Sequence, residues 1–141
     1  MSPMMQTTLN KTVSYEGIGL HAGLPVHMTL RAAEANTGIH FIRTDLPGSP
    51  AIPANLSYVT NTMRATTLEK GEAKVFTVEH LLSALQGLHI DNCIVEMDSV
   101  EPPVADGSSA DFVTMIRKAG IRELNAKREV YRVKKQHLVQ E

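Results

Sequence analysis

One helical repeat set into an otherwise strand-like chain constrains the fold most. Val78, Leu81, Leu82 and Leu85 recur at i, i+3, i+4 and i+7, one face of a helix running from about Val78 to Leu88. Thr77 precedes it as an N-cap candidate, and Gly87 lies near its C-terminal end, where left-handed geometry is useful. Such a stripe has to be buried against another layer. The flanking sequence offers strands: Val26, Met28 and Leu30 alternate with His27, Thr29 and Arg31, the period-2 pattern of a half-buried strand.

Further strands are expected at Thr8–Tyr15, Gly38–Arg43 and Asn92–Met97, with weaker candidates at Leu56–Val59 and Ala65–Leu68. Leu46-Pro47-Gly48-Ser49-Pro50 and Pro102-Pro103 act as stops. A second helix is expected from about Ser109 to Ala119. Phe112, Met115, Ile116 and Ala119 form its apolar face, Ser108 and Asp111 have capping-box spacing, and Gly120 ends it. The resulting fold class is α+β: a two-layer sandwich of a mainly antiparallel sheet with two helices on one face.

Arg122–Arg128 reads as a charged linker, and Val130-Tyr131-Arg132-Val133 as a strand starting again. The expected organisation is therefore one α+β domain over 1–126, followed over 127–141 by a linker and the first strand of a second domain that the chain lacks.

Composition narrows the function. The 141 residues suffice for one domain with a substantial core, and the formal net charge is −1. Nucleic acid is not an expected partner, because its phosphates call for a basic excess. There is no Trp and aromatics make up 4%, so the core is aliphatic. Cys93 is alone, which rules out an internal disulfide or thiolate cluster and suits a reducing compartment; on an apolar strand it reads as a small core residue. The N-terminal residues show no signal-peptide pattern, and no apolar run approaches the ~20 residues of a spanning helix. The expected location is cytoplasmic, with contact with a membrane surface left open.

Concentrated chemistry occurs at one place, Glu79-His80. The pair can serve a zinc–water site, His80 holding the metal and Glu79 taking the proton. A catalytic zinc normally has three protein ligands, and position 84, where a two-histidine helix would carry its second ligand, is Ala84. The site cannot be completed within this helix. At ~100° per residue, His80, Ala84 and Gly87 fall opposite the apolar stripe, which suits close approach by another surface. Of the other histidines, His21 sits in the glycine-flanked loop Gly19–Gly23, where the backbone can come close to a ligand. His27 and His40 are expected on the solvent face, and His89 at a helix boundary. His137 and Glu141 have i, i+4 spacing in a stretch expected to fray. Asn61–Thr67 is a hydroxyl-rich loop able to line a ligand site, and Asp106-Gly107-Ser108 is turn chemistry leading into a helix.

Taken together, Gly17–Gly23, Asn61–Met63 with Thr66–Leu68, Thr77–Leu85, Gly87–Asn92 and Pro103–Ser109 resemble, in order, the N-terminal domain of the UDP-3-O-acyl-N-acetylglucosamine deacetylase family, zinc amidohydrolases of lipid A biosynthesis. The match covers about Thr8 to Asn125. The resemblance implies two similar α+β domains with the active site in the cleft between them. It implies that Glu79 is the general base, that His80 is one zinc ligand, and that His21, Met63, Thr66 and Thr67 lie near the UDP-linked acylated amino sugar. In that family the remaining zinc ligands, a catalytic His, the nucleotide contacts and the acyl passage belong to the second domain. Arg64 stands where an apolar or small residue is expected, and His89 where glycine is usual. The alternative function is a stand-alone, non-catalytic interaction domain docking through the His80/Ala84/Gly87 face.

Overall fold

A computed structural model describes residues 4–140. The expected alternation builds a five-stranded central sheet. Its strands are β2 (Val13–Ile18), β3 (Pro25–Ala32), β4 (Ile39–Arg43), β5 (Ala51–Pro53) and β9 (Cys93–Met97), in the order β2-β3-β9-β4-β5. All neighbours are antiparallel except β4 and β9. Val26, Met28 and Leu30 of β3 and Cys93, Val95 and Met97 of β9 turn inward onto Phe41 and Ile52. Burial pushes the Cys93 thiol up to about 12, so it remains an inert core group, as expected.

The stretch Thr8–Tyr15, expected as one strand, forms two. β1 (Met5–Leu9) ends at Asn10, and β2 starts at Val13 in a different sheet. The break is anchored from afar: the Asn10 and Lys11 amides donate to the Gly120 and Ala119 carbonyls at 2.8 and 3.0 Å. β1 pairs antiparallel with β10 (Ile121–Lys127). The charged run expected as a linker is therefore mostly strand. Arg122, Glu123 and Lys127 are exposed while the backbone is paired, and charge on a sheet edge hides a strand from an apolar-periodicity search. Val130–Val133, expected as a strand starting again, carries no assigned strand. His137 is exposed, and Glu141 lies outside the described residues.

A third sheet holds β6 (Val59–Asn61), β7 (Thr67–Lys70) and β8 (Ala73–Val75), in that order. Leu56–Tyr58, expected as strand, is a 3-10 turn because the Asn55 side chain accepts a hydrogen bond from the Ser57 amide at 3.0 Å. Arg43 ties this sheet to the central one. Its buried guanidinium grips Asp45 through two hydrogen bonds of 2.8 and 2.7 Å and donates to the Lys74 carbonyl at 2.6 Å. The same contact holds the Asp45 carboxyl below its ordinary range.

The helices are α1 (Glu79–Gly87) and α2 (Ala110–Ala119), which pack against each other, with α2 also lying on β2. The apolar face of α2 is as expected, but its capping box does not form. Asp111 instead accepts a hydrogen bond from the Tyr15 hydroxyl at 2.8 Å, which raises the Tyr15 pKa, with burial and the Asp111 charge adding to the effect. In α1, Val78, Leu81 and Leu85 are buried as expected, whereas Leu82 is only partly so. Ala84 is 2% exposed, because α2 closes over the face that a lone helical wheel leaves open. Gly87 is not the left-handed residue. Instead, His89 at φ +59° ends the helix: its amide donates to the Gln86 carbonyl and that of Ile90 to Leu85, a Schellman motif. A left-handed φ is the backbone geometry that glycine adopts without strain. His89→Gly is expected to stabilise the chain by about 0.5–1 kcal/mol, read as a raised midpoint in thermal or urea unfolding; a lowered midpoint would show that His89 contributes more than backbone geometry.

Candidate functional site

The start of α1 is built around an unusual residue. Thr77 adopts φ +51°, a genuine outlier for a β-branched side chain. It does not cap the helix: the N-cap position is Val78, which makes no side-chain capping bond. The Thr77 hydroxyl instead donates to Glu101 Oε1 at 2.6 Å. Straining a non-glycine backbone costs on the order of 1–3 kcal/mol and persists only where the surroundings hold it. Here the hold is Glu101.

Glu79 and His80 follow in the first turn, both half-buried. Glu79 Oε2 accepts a hydrogen bond from the Thr66 amide at 3.1 Å, and the Thr66 carbonyl accepts one from the Val78 amide at 3.5 Å. The carboxylate is thus oriented by the loop before β7 and sits at the positive end of the helix dipole. The His80 carbonyl accepts from the Ser83 and Ser109 hydroxyls at 2.8 and 2.9 Å, which fixes its backbone against the start of α2. The imidazole is neither sealed in the core nor fully exposed.

The loop residues collect beside this point. An open cavity of about 230 Å³ is lined by His21, Asn61, Met63, Arg64, Ala65, Thr67 and Phe76. Three of the four expected substrate contacts, His21, Met63 and Thr67, therefore share one cavity although they come from distant segments. The fourth, Thr66, faces Glu79 through its backbone. Glu79 and His80 are not among the cavity's lining residues. Met63 is 83% exposed, an apolar side chain in water at the cavity rim. Arg64 adds a cation to the lining where an apolar group is expected. The Asn61 side chain shapes the loop by accepting from the Met63 amide at 2.8 Å. A larger cavity of about 630 Å³, between Arg31–Ala35 and Arg122–Asn125, contains none of these residues.

Among the described residues no group of three or more His, Cys, Asp or Glu side chains is arranged to hold a metal ion. The donors fit one corner of a zinc site: a half-exposed imidazole next to an oriented carboxylate. Two other histidines are engaged elsewhere. His27 bonds Glu16 on the surface, and His40 Nε2 bonds the Thr37 carbonyl. Asp106 accepts from the Ser108 amide and hydroxyl in a tight turn, and these bonds lower its pKa.

Sequence reasoning missed Glu101. It is 0% exposed and accepts from the His21 amide at 2.9 and 3.1 Å, the Ala22 amide at 2.9 Å and the Thr77 hydroxyl. The one local sign is an acid held between the apolar β9 and Pro102-Pro103. Only the folded chain shows its partner glycine: a Cβ on Gly19 would stand 2.6 Å from Glu101 Oε2.

Fold and site together define an α+β domain with an acid–imidazole pair at the start of one helix and a loop-lined cavity beside it. The model of the family described as LpxC, UDP-3-O-acyl N-acetylglycosamine deacetylase, matches residues 6–141, and the chain belongs to that family. Relatives named UDP-3-O-acyl-N-acetylglucosamine deacetylase are 48% identical in Chromohalobacter salexigens, 49% in Legionella pneumophila and 46% in Coxiella burnetii. In each case 136 residues align, 96% of this chain and 45% of the relative. The chain thus spans less than half the length of these curated relatives.

Proposed function

We propose that this chain forms the N-terminal half of the active site of a zinc-dependent hydrolase that removes the N-acetyl group from a UDP-linked 3-O-acylated N-acetylglucosamine, a step of lipid A biosynthesis in the cytoplasm. The observation that carries the reading is the oriented Glu79 carboxylate. It stands next to His80 and is bonded to the loop whose Met63 and Thr67 line a cavity with His21. Family membership and the similarity to named deacetylases support the substrate class.

His80 would supply one zinc ligand, and the rest would come from a second domain that residues 127–141 lead toward. When bound, zinc lowers the pKa of a coordinated water to about 7 and polarises the amide carbonyl. Glu79 is the general base: it accepts the proton of the attacking water, and Thr66 keeps its carboxylate in one orientation. His21, Met63, Thr66 and Thr67 border the amino sugar. The departing amine takes its proton from an acid in the other half, leaving acetate and the free amino sugar.

Half a site has half a site's properties. The chain alone is expected to bind zinc weakly and to release no acetate from the UDP-linked sugar. Metal analysis after dialysis and an acetate assay check both; one zinc per chain retained after dialysis, or turnover by the chain alone, would contradict the shared-site reading. The alternative docking module loses its central feature, because Ala84 is buried and only His80 and Gly87 of the supposed face reach the surface.

A further inference from the structure

Two segments with proposed roles meet at one buried side chain, and a third joins them through Glu79. The Gly19–Gly23 loop carries His21, the turn before α1 carries Thr77 two residues ahead of Glu79, and the loop before β7 carries Thr66. Glu101 accepts hydrogen bonds from the first segment through the His21 and Ala22 amides and from the second through the Thr77 hydroxyl. Glu79 then bonds the third through the Thr66 amide. Glu101 is fully buried and has no place in the cavity lining, so it does not touch a ligand there. Gly19 lets the loop backbone come down onto the carboxylate, and Thr77 keeps its left-handed φ under that bond.

We propose that Glu101 is a positioning residue that couples the His21 loop to the Glu79–His80 helix start, so that the two sides of the site move as one unit. A buried carboxylate shared by donors from two segments imposes this: displacement of either segment leaves the carboxylate short of a donor or draws it away from the other segment, and an under-bonded buried carboxylate is costly. The strained Thr77 backbone makes the link directional. Without Oε1 the turn relaxes, Glu79 shifts with it, and Thr66 loses its partner. The inference builds on the proposed roles of His21 and Glu79.

Amide hydrogen exchange on the 141-residue chain tests it without zinc or substrate, so its outcome stands apart from that of any deacetylase assay. Thr77→Val removes only the helix-side bond. It is expected to speed exchange at His21 and Ala22 by at least about fivefold, with the Ser57 amide, held separately by Asn55, unchanged. Glu101→Ala is expected to speed His21, Ala22 and Thr66 together. Glu101→Gln, which keeps one acceptor oxygen, is expected to restore much of the His21 protection. Exchange at His21 and Ala22 within twofold of the parent in Thr77→Val, or an unchanged Thr66 in Glu101→Ala, would reduce Glu101 to a local loop anchor and overturn the coupling. Should Glu101→Ala fail to fold, the Thr77→Val result decides alone.

Discussion

Glu79→Gln, placed in a full-length deacetylase carrying this chain as its N-terminal half, is expected to lower turnover by about 10²–10⁴-fold while leaving the fold intact. The substitution separates chemistry from position. A glutamine oxygen can still accept from the Thr66 amide, now at 3.1 Å from Oε2, so the loop before β7 keeps its anchor. What is lost is the group able to take a proton. Steady-state kinetics with matched circular dichroism check this, and a near-normal rate in the folded variant would remove Glu79 as the base. Glu79→Ala is the informative companion. It removes the proton acceptor and the Thr66 anchor together, so KM is expected to rise as well as kcat to fall, through disorder in the loop that carries Met63 and Thr67. A drop in kcat alone would mean that the loop holds itself.

The largest expected loss of stability lies elsewhere, at Asn92, which is 1% exposed. Its side-chain oxygen accepts from the Gly38 amide at 2.9 Å, and its amide nitrogen donates to Gln6 Oε1 at 3.0 Å. Its backbone bonds β1 on both sides, donating to the Thr7 carbonyl and accepting from the Thr8 hydroxyl. Gln6 in turn holds Asn36 at 2.7 and 2.8 Å, so one side chain joins β1, the approach to β4 and the start of β9. Asn92→Ala leaves the Gly38 amide and the Gln6 oxygen short of partners in a buried place and is expected to cost about 2–4 kcal/mol. Urea unfolding reads it directly. A change under about 0.5 kcal/mol would mean that the network re-forms around the gap.

The consequence reaches beyond stability, because β1 is the only strand pairing with β10 among the described residues. At the far end of β10, Arg128 forks onto Asp91 with two 2.7 Å bonds and donates to the His89 carbonyl at 2.9 Å, while Asp91 accepts from the Thr7 amide. β1, the α1–β9 turn and the end of β10 are thus fastened to one another just before residues 129–140.

Much of this molecule is legible in local patterns. The inward faces of β3 and β9, the existence and span of both helices and the core role of Cys93 follow from apolar spacing that neighbouring residues carry themselves. Periodicity reports which face of a segment is apolar, but not which of its other positions a distant partner will cover, as Ala84 shows. Other features depend on partners tens of residues away. The split of Thr8–Tyr15 rests on contacts from Ala119 and Gly120, and the strand Ile121–Lys127, which takes up most of the charged run Arg122–Arg128, rests on β1. The burial of Ala84 rests on α2, and the diversion of Thr77 from capping on Glu101. The same holds for the cavity that unites His21 with Met63 and Thr67. A hydrogen bond between distant segments has no period, so its two ends become visible as a pair only when the folded chain brings them within 3 Å of each other.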